Sequence, residues 1–248
     1  PITSVDLSTQ QVCAIFSGDA DVWTDVGVSS SDPITVVVRS DESGTVFATT
    51  QWAAANCNGA FGDSFVTSAD LADSYSASDY NSSISASGNA GVVSAVAATT
   101  GSIGFANYAN VDAALQDYAL INGADPGAPG TTLAYSVSDI LSDTVLGAPN
   151  PLTGLPTTQA YTPNDNGNTD CLAVIDPAAQ LNQGYPIAAV TNLLGYTNAN
   201  NDAGAVQDLF IEVISGTSTL DVGFARFNSA VQAELEDVAS NCITNNPV

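Results

Sequence analysis

Apolar positions mark the first helix near the start of the chain. Ser8 or Thr9 is placed to cap it, Val12, Ile15 and Phe16 recur along one face, and Gly18 supplies a stop. After Pro33, Ile34-Thr35-Val36-Val37-Val38 is a continuous β-branched run, the pattern of a strand buried on both faces, ending at Arg39. A short polar turn leads into a second helix, on which Val46, Phe47, Thr50, Ala53, Ala54 and Cys57 share a face. Strand, glycine-containing turn and helix make half of a βαβ unit.

Residues 58–87 are rich in Ser, Ala, Asp and Gly and carry little periodicity. A third helix is predicted from Asn89 to about Thr99, with Val92, Val93 and Val96 inward. Gly101 ends it, and Ile103-Gly104-Phe105-Ala106 reads as a short strand. Gly123 to Gly167 concentrates prolines, glycines and polar residues and reads mainly as loops. Order returns at Tyr185-Pro186-Ile187-Ala188-Ala189-Val190, a predicted strand. A helix over Asp202 to about Ser215 presents Val206, Leu209, Phe210 and Val213, and one over Ser229 to about Ala239 presents Val231, Leu235 and Val238. No internal repeat is visible. Strands alternating with helices place the chain in the α/β class. No apolar run approaches the roughly 20 residues of a membrane span. The first residues carry neither a signal-peptide pattern nor an initiator Met, so the chain reads as processed or as a piece of something longer.

Charge and missing residue types narrow the chemistry. Twenty-six acidic residues face two basic ones, giving a formal charge of −24. Such a surface excludes nucleic acid as a partner, because backbone binding needs several Lys or Arg contacts. It opposes docking on anionic lipid as well. With only Arg39 and Arg226 to cut after, a trypsin-like protease finds few sites, which suits extracellular life. The absence of histidine removes the Ser-His-Asp triad, the Cys-His pair and any His-ligated metal. Carboxylates are plentiful, but no spacing singles out a glycosidase pair. The chain reads as a non-enzyme with no cofactor. Cys13, Cys57, Cys171 and Cys242 are an even number without a CxxC pair, which favours two disulfides formed in an oxidising compartment over zinc. Asn164 to Asp170 and Asn198 to Asp202 alternate oxygen donors as calcium loops do. Neither has the closing Glu, and both read as turns. Asn81-Ser82-Ser83 is a glycosylation sequon that matters only in a glycosylating host.

The sharpest local chemistry is Arg39-Ser40-Asp41-Glu42-Ser43-Gly44-Thr45. A helix start offers free N–H groups and the positive end of the macrodipole. Gly44 lets the backbone approach a ligand with no Cβ in the way. Ser43 and Thr45 add hydroxyls, Arg39 offers a fork of N–H donors, and Asp41 can brace Arg39. Together they suit a tetrahedral or planar anion.

The segment Ile34 to Thr45, ITVVVRSDESGT, resembles the signature of phosphate-binding proteins of bacterial ABC transporters, R-x-D-G-S-G-T, departing at Glu42, where the family has Gly. Other blocks fall in the family's order. Val5 to Gly18 and on to Trp23 is similar to its L-x-x-I-F-x-G-x-x-x-x-W helix. Gly88-Asn89-Ala90-Gly91-Val92 with Gly101-Ser102-Ile103-Gly104-Phe105 is similar to its G-N-x-G-V…G-A-I-G-Y unit. Gly184-Tyr185-Pro186-Ile187 resembles the point where the chain re-enters the first lobe. The resemblance implies a secreted, periplasmic-binding-protein-like (type II) α/β fold of two lobes with phosphate held between them. It assigns Arg39, Ser43, Gly44 and Thr45 to the ligand, with Asp41 orienting Arg39. Within the family the DING branch is nearest: its cysteines in the first helix and at the end of the second are linked, which implies Cys13–Cys57 and leaves Cys171–Cys242. The negative surface does not forbid anion capture, since salt screens distant charges over roughly 8–10 Å, but it predicts slower capture at low ionic strength.

Members of that family begin with a long stretch forming the first half of lobe one, to which nothing here corresponds. On this reading residues 1–183 are the second lobe and 184–248 the returning part of an incomplete first lobe. Three origins fit: part of a longer polypeptide, a lobe completed by a second polypeptide or neighbouring subunit, or a shorter remodelled protein. The expected function is extracytoplasmic binding of inorganic phosphate or a similar oxyanion. The alternative is a structural or filament-forming surface protein on the same fold, using its open sheet edge for assembly.

Overall fold

A computed structural model of the chain describes residues 5–128, 132–161, 171–181 and 183–245. The chain divides into two compact units. The first comprises Pro1–Ala128, Pro149–Leu155 and Tyr185–Ala189; the second comprises Pro129–Ala148, Pro156–Gly184 and Val190–Val248. This is a partition by packing, whereas the 183/184 boundary read from the sequence is one by lobe.

In the first unit a short strand, β1 (Asp6–Leu7), leads into α1 (Thr9–Ser17). Ser8 caps α1 with a reciprocal box: Gln11 N–H donates to Ser8 Oγ at 3.3 Å and Ser8 N–H to Gln11 Oε1 at 2.6 Å. Gly18 closes the helix at φ 86°, a left-handed conformation that glycine takes without steric cost. The predicted stripe of Val12, Ile15 and Phe16 is buried.

All five residues of β2 (Thr35–Arg39) are buried. It is the middle of a parallel sheet in the order β3-β2-β4, with β3 (Ser83–Ala86) and β4 (Ser102–Gly104) on either side. Val36 is in register with Ser83 and Ile103. β3 lies inside the stretch that shows no pattern in the sequence. As an edge strand with partly buried Ser-Ile-Ser-Ala, it carries no clean apolar alternation and is specified by its neighbour's ladder.

The second helix, α2 (Gly44–Ala53), runs into a π-helical turn over Ala54–Asn58 and a last turn, α3 (Gly59–Phe61). Its buried face differs from the predicted one. Phe47 is exposed, whereas Thr49 and Trp52 are buried beside Val46, Thr50, Ala53, Ala54 and Cys57. The threonines can go inside because their hydroxyls are satisfied: Thr49 Oγ1 donates to Thr45 O at 2.8 Å and Thr50 Oγ1 lies 2.9 Å from Ser68 O. Cys57 is bonded to Cys13, fastening this helix to α1.

α4 (Gly88–Ala98) buries Val92 and Val93, while Val96 is only half-buried. Gly101, at φ 75°, turns the chain into β4. α5 (Tyr108–Ala113) and β5 (Leu120–Ile121), which pairs in parallel with β1, complete the α/β layer. Its core joins Leu7, Ile15, Trp23, Ile34, Val36, Val46, Trp52 and Phe65. Each such side chain contributes about 1.5–3 kcal/mol by leaving water.

The second unit contains two strand pairs, apart from the terminal Pro149 of β7: β6 (Ile140–Ser142), antiparallel to β9 (Ala173–Ile175), and β7 (Thr144–Pro149) with β8 (Pro156–Ala160). Three short strands, β6, β7 and β8, interrupt the stretch 123–167, which among its described residues is otherwise mainly loop, as the composition predicts; Pro149 and Pro156 sit at the ends of β7 and β8, where a missing N–H costs no ladder bond. Two helices, α6 (Ala203–Ser215) and α7 (Ser229–Cys242), pack on each other, and Cys242 is bonded to Cys171. On α6 Leu209 (61% exposed) and Val213 (44%) face outward, contrary to expectation, while Ala203 is buried and Val206 and Phe210 are half-buried. On α7 Val231 is buried and Leu235 and Val238 are half-buried. The predicted strand at 185–190 is not one: these residues join no ladder among the described residues. A β-branched, apolar run becomes a strand only when a neighbour takes its hydrogen bonds.

Candidate anion-binding site

The three parallel strands β2, β3 and β4 end on the same side, and the helices that follow them, α2, α4 and α5, begin there. In open α/β sheets this carboxyl edge is where ligands bind. The predicted residues Arg39, Asp41, Ser43, Gly44 and Thr45 all lie along it, between the last residue of β2 and the first turn of α2.

Arg39 is 8% exposed and its guanidinium is held on two sides. Asp41 accepts from Nε at 2.9 Å and from Nη2 at 2.6 Å, and Asn89 Oδ1 accepts from Nη1 at 2.9 Å. A guanidinium has five N–H groups. Three are engaged here, which leaves one on each Nη, the two-pronged arrangement that matches an oxyanion. Asp41 also accepts from the Gly88 N–H at 2.8 Å, tying the turn after β2 to the start of α4. Its bond to Arg39, then that from Gly88, holds its carboxyl well below the usual carboxylate range.

Ser43 is the N-cap of α2, its Oγ accepting from the Thr45 N–H at 3.1 Å. The amides of Gly44 and Val46 have no partner among the described residues. A Cβ built on Gly44 would meet nothing within 4 Å, so its backbone borders open space. Glu42, the departure from the family turn, is exposed.

Two residues of the cluster escape motif reading. Asn89 stands in the first turn of α4 and also lies 3.4 Å from Thr45 Oγ1. It belongs to the Gly88-Asn89-Ala90-Gly91-Val92 block, which was the available signal. Asn107 precedes α5 but makes no side-chain cap; its Oδ1 instead accepts from Thr45 Oγ1 at 2.7 Å. An asparagine cap contributes about 1 kcal/mol, so that the side chain is used elsewhere is a local cost. No sequence pattern marks Asn107.

The other candidates resolve into structure. Cys13–Cys57 and Cys171–Cys242 are both disulfides. Asn198 to Asp202 is a turn: Asn200 Nδ2 donates to Tyr196 O at 2.8 Å and Thr244 O at 2.9 Å, and Asp202 caps α6 through Ala205 N–H at 3.0 Å. Asn164 to Asp170 lies outside the described residues. Among the described residues, the one trio of donors close enough for an ion is Cys13, Cys57 and Asp63, whose two sulfurs are bonded to each other. Among the described residues no helix is long and apolar enough to cross a membrane.

The PBP superfamily domain profile matches residues 1–170, more than half of the chain. The chain therefore belongs to the PBP superfamily, an α/β, periplasmic-binding-protein-like class that agrees with the parallel sheet and the helices at its carboxyl edge. Among curated proteins it is 29% identical over 232 residues to a phosphate-binding protein of an unknown prokaryotic organism, covering 84% of this chain and 58% of that protein. It is 28% identical over 234 residues to alkaline phosphatase L of Pseudomonas aeruginosa (strain UCBPP-PA14), covering 89% and 56%. The chain thus spans little more than half the length of these relatives. In fold it is similar to a high affinity periplasmic phosphate-binding protein, PfluDING, solved with phosphate bound (TM-score 0.62, 24% identity, 98% of this chain and 68% of that one). A solved DING protein gives a TM-score of 0.58 at 22% identity, covering 96% and 67%.

Proposed function

We propose that this chain binds inorganic phosphate, or an oxyanion of the same shape and charge, outside the cytoplasm. Arg39, Ser43, Gly44 and Thr45 supply its half of the ligand shell, and Asp41 orients Arg39. The observation that carries the reading is the buried guanidinium of Arg39, locked by Asp41 and Asn89 with one N–H left on each Nη, at the start of α2. Its charge is already paired by Asp41, and the N–H left on each Nη is a donor that an oxyanion can accept from. The names of the phosphate-binding relatives support the same ligand, and the two disulfides support an oxidising, extracytoplasmic setting.

On this reading residues 1–183 correspond to the second lobe of a two-lobed binding protein and 184–248 to the returning part of the first. The activity is capture without turnover. The name alkaline phosphatase L carried by one relative raises hydrolysis as the competing reading. The chain has no histidine, and the two carboxylates within the turn Arg39–Thr45 are Asp41, already committed to Arg39, and exposed Glu42.

Titration calorimetry with phosphate tests the reading. The parent chain should bind, and Arg39→Ala should weaken binding on the order of a hundredfold or more, the loss of two charge-assisted hydrogen bonds. Equal affinity in parent and variant would overturn it, and turnover of an aryl phosphate by the purified chain would overturn the binding-only assignment.

A further inference from the structure

We infer that Asn89 is a positioning residue for the anion site: it fixes which N–H groups of Arg39 face the ligand. The inference rests on the phosphate reading above. Its starting point is that Asn89 Oδ1 accepts from Arg39 Nη1 at 2.9 Å and stands 3.4 Å from Thr45 Oγ1, so it touches two of the proposed ligand-binding side chains.

The chemistry of the pair sets the orientation of the amide. A guanidinium only donates, so the atom of Asn89 that faces it is the oxygen. Asp41 holds Nε and Nη2, which alone leaves both hydrogens of Nη1 and one of Nη2 uncommitted. The amide oxygen of Asn89 removes one of the Nη1 hydrogens. What remains is a matched pair, one N–H per Nη, where three unequal donors would otherwise stand. Asp41 and Asn89 together stop the guanidinium from rotating, and Asn89 selects the face it shows. Asn89 is itself held in place, since it lies in the first turn of α4, next to the Gly88 whose N–H donates to Asp41. Both supports of Arg39 therefore come together at one helix start, on the strand next to its own.

The chain has only two arginines, Arg39 and Arg226, so nitrogen NMR of the guanidinium groups reads Arg39 with one internal reference. Arg226 serves because its Nη groups donate to Ser218 O and Glu212 O, remote in sequence from the site. In the parent, Arg39 is expected to give separate Nη1 and Nη2 signals that exchange slowly. In Asn89→Ala these should merge through faster rotation, with Arg226 unchanged and phosphate bound about tenfold more weakly. Asn89→Asp, which keeps the acceptor, should restore the separate signals. Separate, slow Arg39 signals in Asn89→Ala, in a parent that binds phosphate, would overturn the inference and leave the binding reading intact. Merged signals in Asn89→Ala, rescued in Asn89→Asp, with a parent that ignores phosphate, would uphold the positioning and overturn the binding reading.

Discussion

The hydroxyl of Thr45, in the first turn of α2, donates its single proton to Asn107 Oδ1 at 2.7 Å, across from the start of α5. On the phosphate reading proposed above, an anion seated at α2 needs that same proton, and Asn107 competes for it. Thr45→Val should weaken phosphate binding about tenfold, the loss of one charge-assisted bond. Asn107→Ala should tighten it severalfold, since the nearer acceptor of the hydroxyl is then gone and only the 3.4 Å approach to Asn89 is left. Parallel calorimetric titrations decide this, and a weaker Asn107→Ala variant would contradict the competition.

Asp41 links pH to stability. Its folded pKa lies below the ordinary carboxylate value because Arg39 and the Gly88 N–H favour the ionised form. The folded state therefore releases this proton more readily than the unfolded chain, whose Asp titrates near about 3.9. The contribution is fully present above that value and is lost as pH falls through the lower folded value. Urea midpoints of the parent and Asp41→Asn should differ most at neutral pH and converge toward pH 2. A constant gap across the range would show that the carboxylate's charge is not what matters.

The disulfide between Cys13 and Cys57 closes a loop with a sequence separation of 44. Chain-entropy arguments put its effect at roughly 4 kcal/mol, with typical measured values of about 2–4. Cys13→Ala/Cys57→Ala should lower the melting temperature by more than about 5 °C. The loss should be larger than that from removing a single methylene in the same core.

Gly18 is held at φ 86°, and a Cβ there would collide with the Asp79 carbonyl. Nearby, Tyr80 Oη donates to Phe16 O at 2.9 Å, so the segment around Asp79 is anchored against α1 and has little room to retreat. Gly18→Ala should cost about 2 kcal/mol or more, exceeding a usual glycine replacement at a helix end. Chemical denaturation measures it; a change under about 0.5 kcal/mol would mean the segment moves aside freely.

Much of this protein was written in local sequence. The helix from Thr9 to Ser17 has its cap, stripe and stop within the eleven positions Ser8 to Gly18, and the run before Arg39 needs no context to read as a buried strand. The turn from Arg39 to Thr45 was legible for the same reason: strand end, helix start and donor side chains are contiguous, so their meeting is fixed by the chain itself.

Tertiary structure decided what depends on partners distant in sequence. Ser83–Ala86 becomes a strand because β2 offers a ladder, whereas the more strand-like Tyr185 to Val190 run has no such neighbour among the described residues. Phe47 is exposed and Trp52 buried because the sheet and α1, through Cys13–Cys57, set which face of α2 turns inward. Asn89 and Asn107 reach Arg39 and Thr45 across separations of 50 and 62 residues, brought there by parallel strands that end on one side. Periodicity reports which residues want burial or a cap; only packing fixes which side chains of different strands and helices share a hydrogen bond.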